Sequence, residues 1–254
     1  MPKVSINILT YNRSWLLEGA LKSVLKQSFK DFEVVVVNNG STDNTAEVLE
    51  SYKNQLNLKV VSLPVSIGIT AARQRALQES SAEYIAILDD DDEWVETDKL
   101  KIQAEFFDQD RDYVLAGGSI EVVLPDLKSR GVPKLSGEIK QRPQTDPAIR
   151  NSMLFRNNFF TSTVMFRKSA ALRAGGFIKD ADDLAEDYDL WLRMGNLGKM
   201  HNFRPVFTQY ALPDYNKSRF KSFLAKQLRL INREKANYPK FWLAKLLLKI
   251  RLIF

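Results

Sequence analysis

Cysteine is absent from the 254 residues, and histidine occurs once, at His201. The first absence excludes disulfides and thiolate metal sites, and it is compatible with a reducing cytoplasm. No apolar run reaches the roughly 18 to 20 residues that a bilayer-spanning helix needs. The opening stretch Met1-Pro2-Lys3-Val4-Ser5-Ile6 enters a strand at once and lacks the anatomy of a signal peptide. Internal repeats and low-complexity segments are missing. So are a P-loop and a G-x-G-x-x-G sequence, which leaves NTPase and dinucleotide readings without support.

What remains is an ordinary globular composition, 44% apolar and 27% charged, and a length that suits one large domain or one domain with an appendage. The net charge of +6 is an uneven average. Residues 217–254 hold eleven Lys/Arg against one acid, Glu234, giving +10, whereas residues 1–216 carry −4. A basic tail suits nucleic acid or an anionic membrane surface. The apolar run from Phe241 to Phe254, with Trp242 near its start, favours the membrane and speaks against nucleic acid. Its lysines and arginine do not form one clean polar stripe, so snorkelling side chains are expected. The competing reading is a helix packed on the body.

The first hundred residues alternate strand and helix signals. Apolar strands are expected at 4–9, 32–37, 58–63 and 84–88, and helices at 15–27, 42–52 and 70–80, with Ser41 or Thr42 near the start of the second. Strict alternation with all-apolar strands implies a parallel sheet covered on both faces. Beyond Trp94 the alternation breaks. A helix is expected at 97–107, one bent strand or two short ones at 113–123, and a long mobile excursion at 125–148, where four of the nine prolines fall. Then come a strand at 159–167, a short helix at 169–174 stopped by Gly175-Gly176, a helix at 184–197, a strand at 200–209 and an amphipathic helix around Phe220–Ile231. His201 is assigned to a strand surface.

Chemistry gathers at the strand ends. Asp89-Asp90-Asp91-Asp92 follows the apolar run Tyr84–Leu88. Four carboxylates repel one another, and a hard divalent cation such as Mg²⁺ or Mn²⁺ would answer them; in isolation such a run is also a solvated acidic turn. Ligands of open α/β sheets sit beyond the carboxyl ends of strands, where Thr10-Tyr11-Asn12-Arg13 and Asn38-Asn39-Gly40-Ser41-Thr42-Asp43 also end. Tyr11 could stack on a base and Asn39 could read a base edge. Gly40 permits a tight turn. Gly68 precedes a helix whose N–H groups could face an anion, and Arg73, one turn in, could meet a diphosphate with its planar fork.

Together these segments resemble the family 2 glycosyltransferases, inverting enzymes of GT-A fold, over Val4 to about Tyr210. The matching pieces are Val4–Arg13, Gly40–Asp43, Gly68–Arg73, Leu88–Trp94, Gly175-Gly176-Phe177 and Glu186-Asp187-Tyr188-Asp189-Leu190-Trp191-Leu192-Arg193. The resemblance implies an α/β fold with a nucleotide-sugar-binding half at 1–98 and an acceptor half at 99–216; charge and spacing add a basic amphipathic helical tail at 217–254. It implies that Asp89 faces the donor ribose, that Asp91 holds Mn²⁺ or Mg²⁺ bridging the diphosphate, and that Asp92 supports them or contacts the sugar. Asp90 belongs to the donor side without a catalytic role. Asp187 is the candidate general base, with Glu186 as its substitute; helical spacing points the two carboxylates apart. Thr10, Tyr11, Asn12, Arg13, Asn39, Gly68 and Arg73 complete the donor set. The partners implied are a nucleotide-diphosphate sugar, most simply a UDP-sugar, and a glycan or lipid-linked acceptor at the cytoplasmic face of a membrane, as in surface polysaccharide assembly.

The chain departs from the family pattern in three places. Asn38-Asn39 replaces its usual acidic pair, the strand ending at Tyr210-Ala211-Leu212-Pro213 lacks its Arg and His, and Asp90 is often a small polar residue in relatives. Two other readings are a non-catalytic nucleotide-sugar-binding protein of the same fold and a nucleotidyltransferase. The second needs a glycine-rich basic loop after the first strand, and Thr10–Ser14 contains no glycine.

Overall fold

The structure is a computed structural model that describes residues 1–124, 134–178, 183–211 and 217–253. In chain order its elements are β1 (Val4–Thr10), α1 (Ser14–Leu25), β2 (Phe32–Asn38), α2 (Thr45–Tyr52), β3 (Leu58–Ser62), α3 (Ile69–Glu79), β4 (Tyr84–Asp89), β5 (Glu93–Trp94), α4 (Lys99–Gln109), β6 (Tyr113–Leu124), β7 (Lys134–Lys140), α5 (Asp146–Met153), β8 (Met165–Arg167), α6 (Lys168–Arg173), α7 (Glu186–Gly195), β9 (Lys199–Ala211), α8 (Lys217–Arg233) and α9 (Phe241–Ile253). The strands form one mixed sheet in the order β3-β2-β1-β4-β8-β6-β9-β5, with β7 paired to β6 off this path.

The first four strands are parallel, as the apolar runs dictate. All seven residues of β2, Val34 to Val37 among them, are buried, as both faces are covered by helices. On α1, Leu17, Ala20, Leu21 and Val24 recur at helical spacing and are fully buried against this half. From β4 onward the sheet reverses: β8 runs antiparallel to β4 and to β6, while β6 and β9 pair in parallel. Parallel register sets the ends of three strands side by side, with Thr10 beside Asn38 and Leu9 beside Asp89. The motif-bearing loops therefore leave one edge of the sheet.

Three expectations need correction. The stretch 125–148 is not a structureless excursion: β7 pairs with β6, and α5 starts with a proline in its first turn. Residues 125–133 lie outside the described residues. The apolar run 159–167 is a strand only at β8; Thr161–Thr163 form a 3₁₀ turn, because Thr163 and Asn157 spend their side chains on local backbone groups. Finally, α2 starts at Thr45, since Asp43 accepts the Thr45 N–H at 3.2 Å and its hydroxyl at 2.5 Å, while Thr42 N–H goes to Asn12. His201 is half-buried, stacked on Phe106 at 4.9 Å and edge-on to Phe203 at 4.7 Å, and burial lowers its pKa.

The basic tail packs on the body. Leu230, Ile231, Tyr238, Phe241, Ala244 and Leu248 share a core with Tyr188 and Trp191 of α7. The Tyr238 hydroxyl donates to Leu192 O at 2.8 Å, and Arg233 Nη2 meets Asp189 Oδ1 at 2.6 Å. Phe241, Ala244 and Leu248 occupy one face of α9. The opposite face is bare: Trp242 is 76% exposed, and Leu243, Leu246, Leu247 and Ile250 are exposed with it.

Candidate active site

Asp89 closes β4, and the next residues turn sharply, with Asp92 N–H donating to Asp89 O at 3.2 Å. The four carboxylates diverge from this turn. Asp89 Oδ1 accepts from Arg73 Nη2 at 2.9 Å, whereas one nitrogen of Arg13, Nη1, reaches both Asp90 Oδ1 and Asp91 Oδ2 at 3.1 Å. Asp92 points inward: Ser162 Oγ donates to its Oδ2 at 2.5 Å and Ala211 N–H to its Oδ1 at 2.8 Å. Ser162 Oγ in turn accepts the Asp89 N–H at 3.0 Å. Asp92 thus ties β4 to β9; Asp90 is buried beside it, and Asp89 and Asp91 are partly exposed.

Burial dominates the electrostatics of this cluster. Asp90 is pushed up to about 7 by burial, with Asp91 and Asp89 adding to the rise and Arg13 opposing it. Burial and the charge of Asp89 raise Asp91, and burial with Asp91 and Asp89 raises Asp92 well above the carboxylate range. Two buried oxygens here, Asp90 Oδ2 and Thr10 Oγ1, make no well-formed hydrogen bond, and the nearby Thr10 hydroxyl only tempers the rise of Asp90. Two arginines do not neutralise the group, so it has capacity for a further cation. Among the described residues no three acidic or histidine side chains converge as a metal cage. A divalent ion at Asp91 fits only as a partner of one protein carboxylate with the rest of its oxygens supplied by a ligand and water.

Arg73 joins the two halves. It sits in the second turn of α3, buried to 5% exposure, with Nη2 on Asp89 and Nε on Glu186 Oε1, each at 2.9 Å. Its fork is therefore shared between two carboxylates of the protein. Glu186 and Asp187 open α7 and turn different ways, as their helical spacing predicts. Burial raises the Glu186 pKa against the pull of Arg73. Asp187 Oδ2 accepts from Thr161 Oγ1 at 2.7 Å and Asn157 Nδ2 at 3.1 Å, and its Oδ1 accepts the Tyr188 N–H at 2.6 Å. Tyr210 lies beside this cleft, with its ring 5.9 Å from Phe160. Burial and the charges of Asp92, Asp89 and Asp187 raise its phenol.

The remaining donor-side residues are mostly occupied in shaping the loops. Tyr11 is half-exposed at the cleft edge. Asn12 adopts φ 54° and accepts Thr42 N–H at 2.7 Å through Oδ1. Asn39 donates to Ser66 Oγ at 3.1 Å and accepts Ile67 N–H at 3.0 Å, so its amide builds the turn. Gly40 (φ 82°) lies against that turn, where an added Cβ would meet Ser66 N at 2.6 Å. Gly68 (φ 88°) does precede α3, but the anion at that helix start is the protein's own: Asp183 accepts the N–H groups of Ile69 at 2.8 Å and Thr70 at 3.0 Å.

Sequence reasoning missed Ser162, Thr161, Asn157 and Asp183; Trp94, within the matching Leu88–Trp94 segment, donates its indole N–H to Ser162 O at 2.7 Å. None sits in a spacing that marks it. Ser162 and Thr161 were hidden inside an apolar run that reads as strand.

The model of the family described as Glycosyl transferase family 2 matches residues 5–175. The chain belongs to glycosyl transferase family 2. Among curated relatives, a glycosyltransferase of Haemophilus influenzae without an assigned role is 28% identical over 83% of this chain and 66% of its own length. The Staphylococcus aureus poly(ribitol-phosphate) beta-N-acetylglucosaminyltransferase TarS is 36% identical over 53% of this chain and 23% of its own. The chain thus spans under two thirds of these relatives. The crystal structure of TarS 1–349 in complex with UDP superposes with a TM-score of 0.70 at 26% identity, covering 93% of this chain and 66% of that one. The mannosyltransferase PcManGT from Pyrobaculum calidifontis, in complex with GDP-Man and Mn²⁺, gives 0.68 at 19% identity over 99% and 70%, a likeness of fold. This family 2 chain therefore has the GT-A architecture: a curled, largely parallel sheet flanked by helices, with a helical C-terminal tail. The putative colanic acid biosynthesis glycosyl transferase WcaA of Escherichia coli is 28% identical over 76% of this chain and 66% of its own length. No described helix is long and apolar enough to cross a membrane.

Proposed function

We propose that this chain is an inverting transferase that moves a sugar from a nucleotide-diphosphate sugar, a UDP-sugar in the simplest case, to a glycan or lipid-linked acceptor. The observation that carries the reading is the Arg73 bridge. It draws donor-side Asp89 and acceptor-side Glu186 to one guanidinium, and so brings Asp187 to the donor cleft. Residues 1–98 then hold the donor, 99–216 the acceptor, and 217–254 form a layer docked behind α7.

In this reading Tyr11, Thr10, Asn12 and Arg13 frame the nucleotide, while Asn39 and Gly68 hold the loops against it. Asp91, now paired with Arg13, is the residue that would hold Mn²⁺ or Mg²⁺, and such a cation would supply Lewis-acid stabilisation to the departing diphosphate. Asp187 takes the proton of the acceptor hydroxyl as its oxygen attacks the anomeric carbon. The bond to the nucleoside diphosphate breaks in the same displacement, so the anomeric configuration inverts. Two neutral donors, Thr161 and Asn157, aim the Asp187 carboxylate without pairing its charge. Glu186 keeps Arg73 in place.

The proposed partners include an anionic membrane surface, met through the tail from the cytoplasmic side. The bare face of α9 supports this. On a helical wheel Trp242, Leu243, Leu246, Leu247 and Ile250 oppose the packed stripe, and Lys245, Lys249 and Arg251 lie along the two seams between them. Apolar side chains at the outward face with basic groups on both borders suit headgroup depth.

The test is Asp187→Asn with a panel of UDP-sugars and Mn²⁺. Donor affinity is expected to stay within about twofold and transfer to fall roughly 10²- to 10⁴-fold, the usual worth of a general base. Undiminished transfer would refute the assignment. Absence of both transfer and hydrolysis in the unmodified chain, with donor still bound, would favour a non-catalytic binding protein.

A further inference from the structure

Among the described residues, two arginines on the acceptor side have no carboxylate to answer them. The Arg142 guanidinium lies 4.4 Å over the Phe160 ring, and its Nε is buried without a hydrogen-bond partner. Arg156 is close enough that, after burial, its charge is what lowers the pKa of Arg142. Among the described residues neither guanidinium forms an ion pair. Like charges set together at a partly buried position repel, and an orphaned donor adds to the cost. α5 and β7 are held by other contacts: Arg150 Nη2 donates to Gly195 O at 2.6 Å and to Gly198 O at 2.8 Å, and β7 pairs with β6.

Both arginines stand one step from the candidate base. Arg156 precedes Asn157, and Phe160 precedes Thr161; these are the two residues whose side chains donate to Asp187 Oδ2. An acceptor hydroxyl delivered to Asp187 would bring its neighbouring substituents to this pair. We propose that Arg142 and Arg156 form an acceptor subsite for an oxyanion, a phosphate or a carboxylate, carried next to the hydroxyl that receives the sugar. Guanidinium forks suit both groups because they give paired N–H donors to paired oxygens. The subsite narrows the acceptor from any glycan to an anionic polymer or an acceptor bearing such a group. It rests on reading Asp187 as the acceptor-side base.

The experiment titrates the full chain, with UDP and Mn²⁺ present, with three oligomers of equal length: oligo(glycerol phosphate), oligogalacturonate and neutral dextran. One anionic oligomer is expected to bind and dextran is not, and the stronger binder identifies the oxyanion. Arg142→Gln and Arg156→Gln are each expected to weaken that binding about tenfold, as for hydrogen bonds to charged groups, and the double variant further. Arg142→Lys should recover part of the loss, since it keeps the charge without the fork. Arg156 is exposed, so its variant reads the subsite in a folded chain. UDP affinity, measured in the same samples, reports the donor reading separately. Dextran binding as tightly as the anionic oligomers, or a double variant binding them undiminished, would overturn the subsite.

Discussion

Asp90→Asn should stabilise the donor-free chain at pH 8 and not at pH 5. Asp90 Oδ1 takes one bond from Arg13, and Oδ2 is buried without a well-formed hydrogen bond. Burial moves this carboxyl from its ordinary 3.8 to about 7. Holding it ionised at pH 8 therefore costs the folded state about 4 kcal/mol relative to the unfolded chain. The sign follows from the raised value: the proton-bound carboxyl contributes its full stability below about pH 4, and that contribution is lost as pH rises through about 7. Asparagine removes the ionisation. It keeps an oxygen for Arg13 but places an N–H group where Oδ2 made no well-formed bond, at a cost of about 1–3 kcal/mol. The net gain is about 1–3 kcal/mol at pH 8, or roughly 2–10 °C in Tm for a chain of this size. At pH 5 the folded carboxyl is protonated while the unfolded one is mostly ionised, so only about 1–2 kcal/mol of that gain is left, and the amide cost offsets it. Thermal unfolding by calorimetry across this pH range, without donor or metal, reads both ends. An equal gain at pH 5 and pH 8, or a loss at pH 8, would refute the electrostatic account.

Asp91→Ala is expected to abolish the part of nucleotide-sugar affinity that depends on Mn²⁺; calorimetric titrations that show the same affinity with and without Mn²⁺ in wild type would remove the metal role. For the tail, Trp242→Ser with Leu246→Ser should cut co-sedimentation with vesicles containing anionic lipid about tenfold or more, given about 25 cal/mol per Å² of apolar surface withdrawn from water. Binding that persists in this variant, or that is equal on neutral vesicles, argues against an anionic bilayer on the bare face of α9.

The donor half was legible because its physics is local. The runs at β1, β2 and β4 could only be buried parallel strands, and parallel register then places Thr10, Asn38 and Asp89 together without further information. Legibility failed where partners come from far along the chain. Nothing near Ser162 in sequence announces that its hydroxyl joins Asp89 to Asp92 across 73 and 70 residues. Likewise, Asn39 reads as a base-contacting amide until the turn at Ser66–Ile67 claims it. Thr161–Thr163 defeated the strand pattern because hydroxyl groups offered the backbone a local alternative. In the tail, a mixed helical wheel gave no single answer because two faces have two environments, one of them the core of α7.

Asp183 has a consequence for timing. It comes from the residues leading into Glu186 and Asp187, yet it fills the amide hydrogens at the start of α3 across the cleft. Any anion that takes those hydrogens must evict it, and with it shift the approach to the acceptor-side acids. In the proposed reading, donor phosphate at those hydrogens and the placement of Asp187 are linked by simple occupancy.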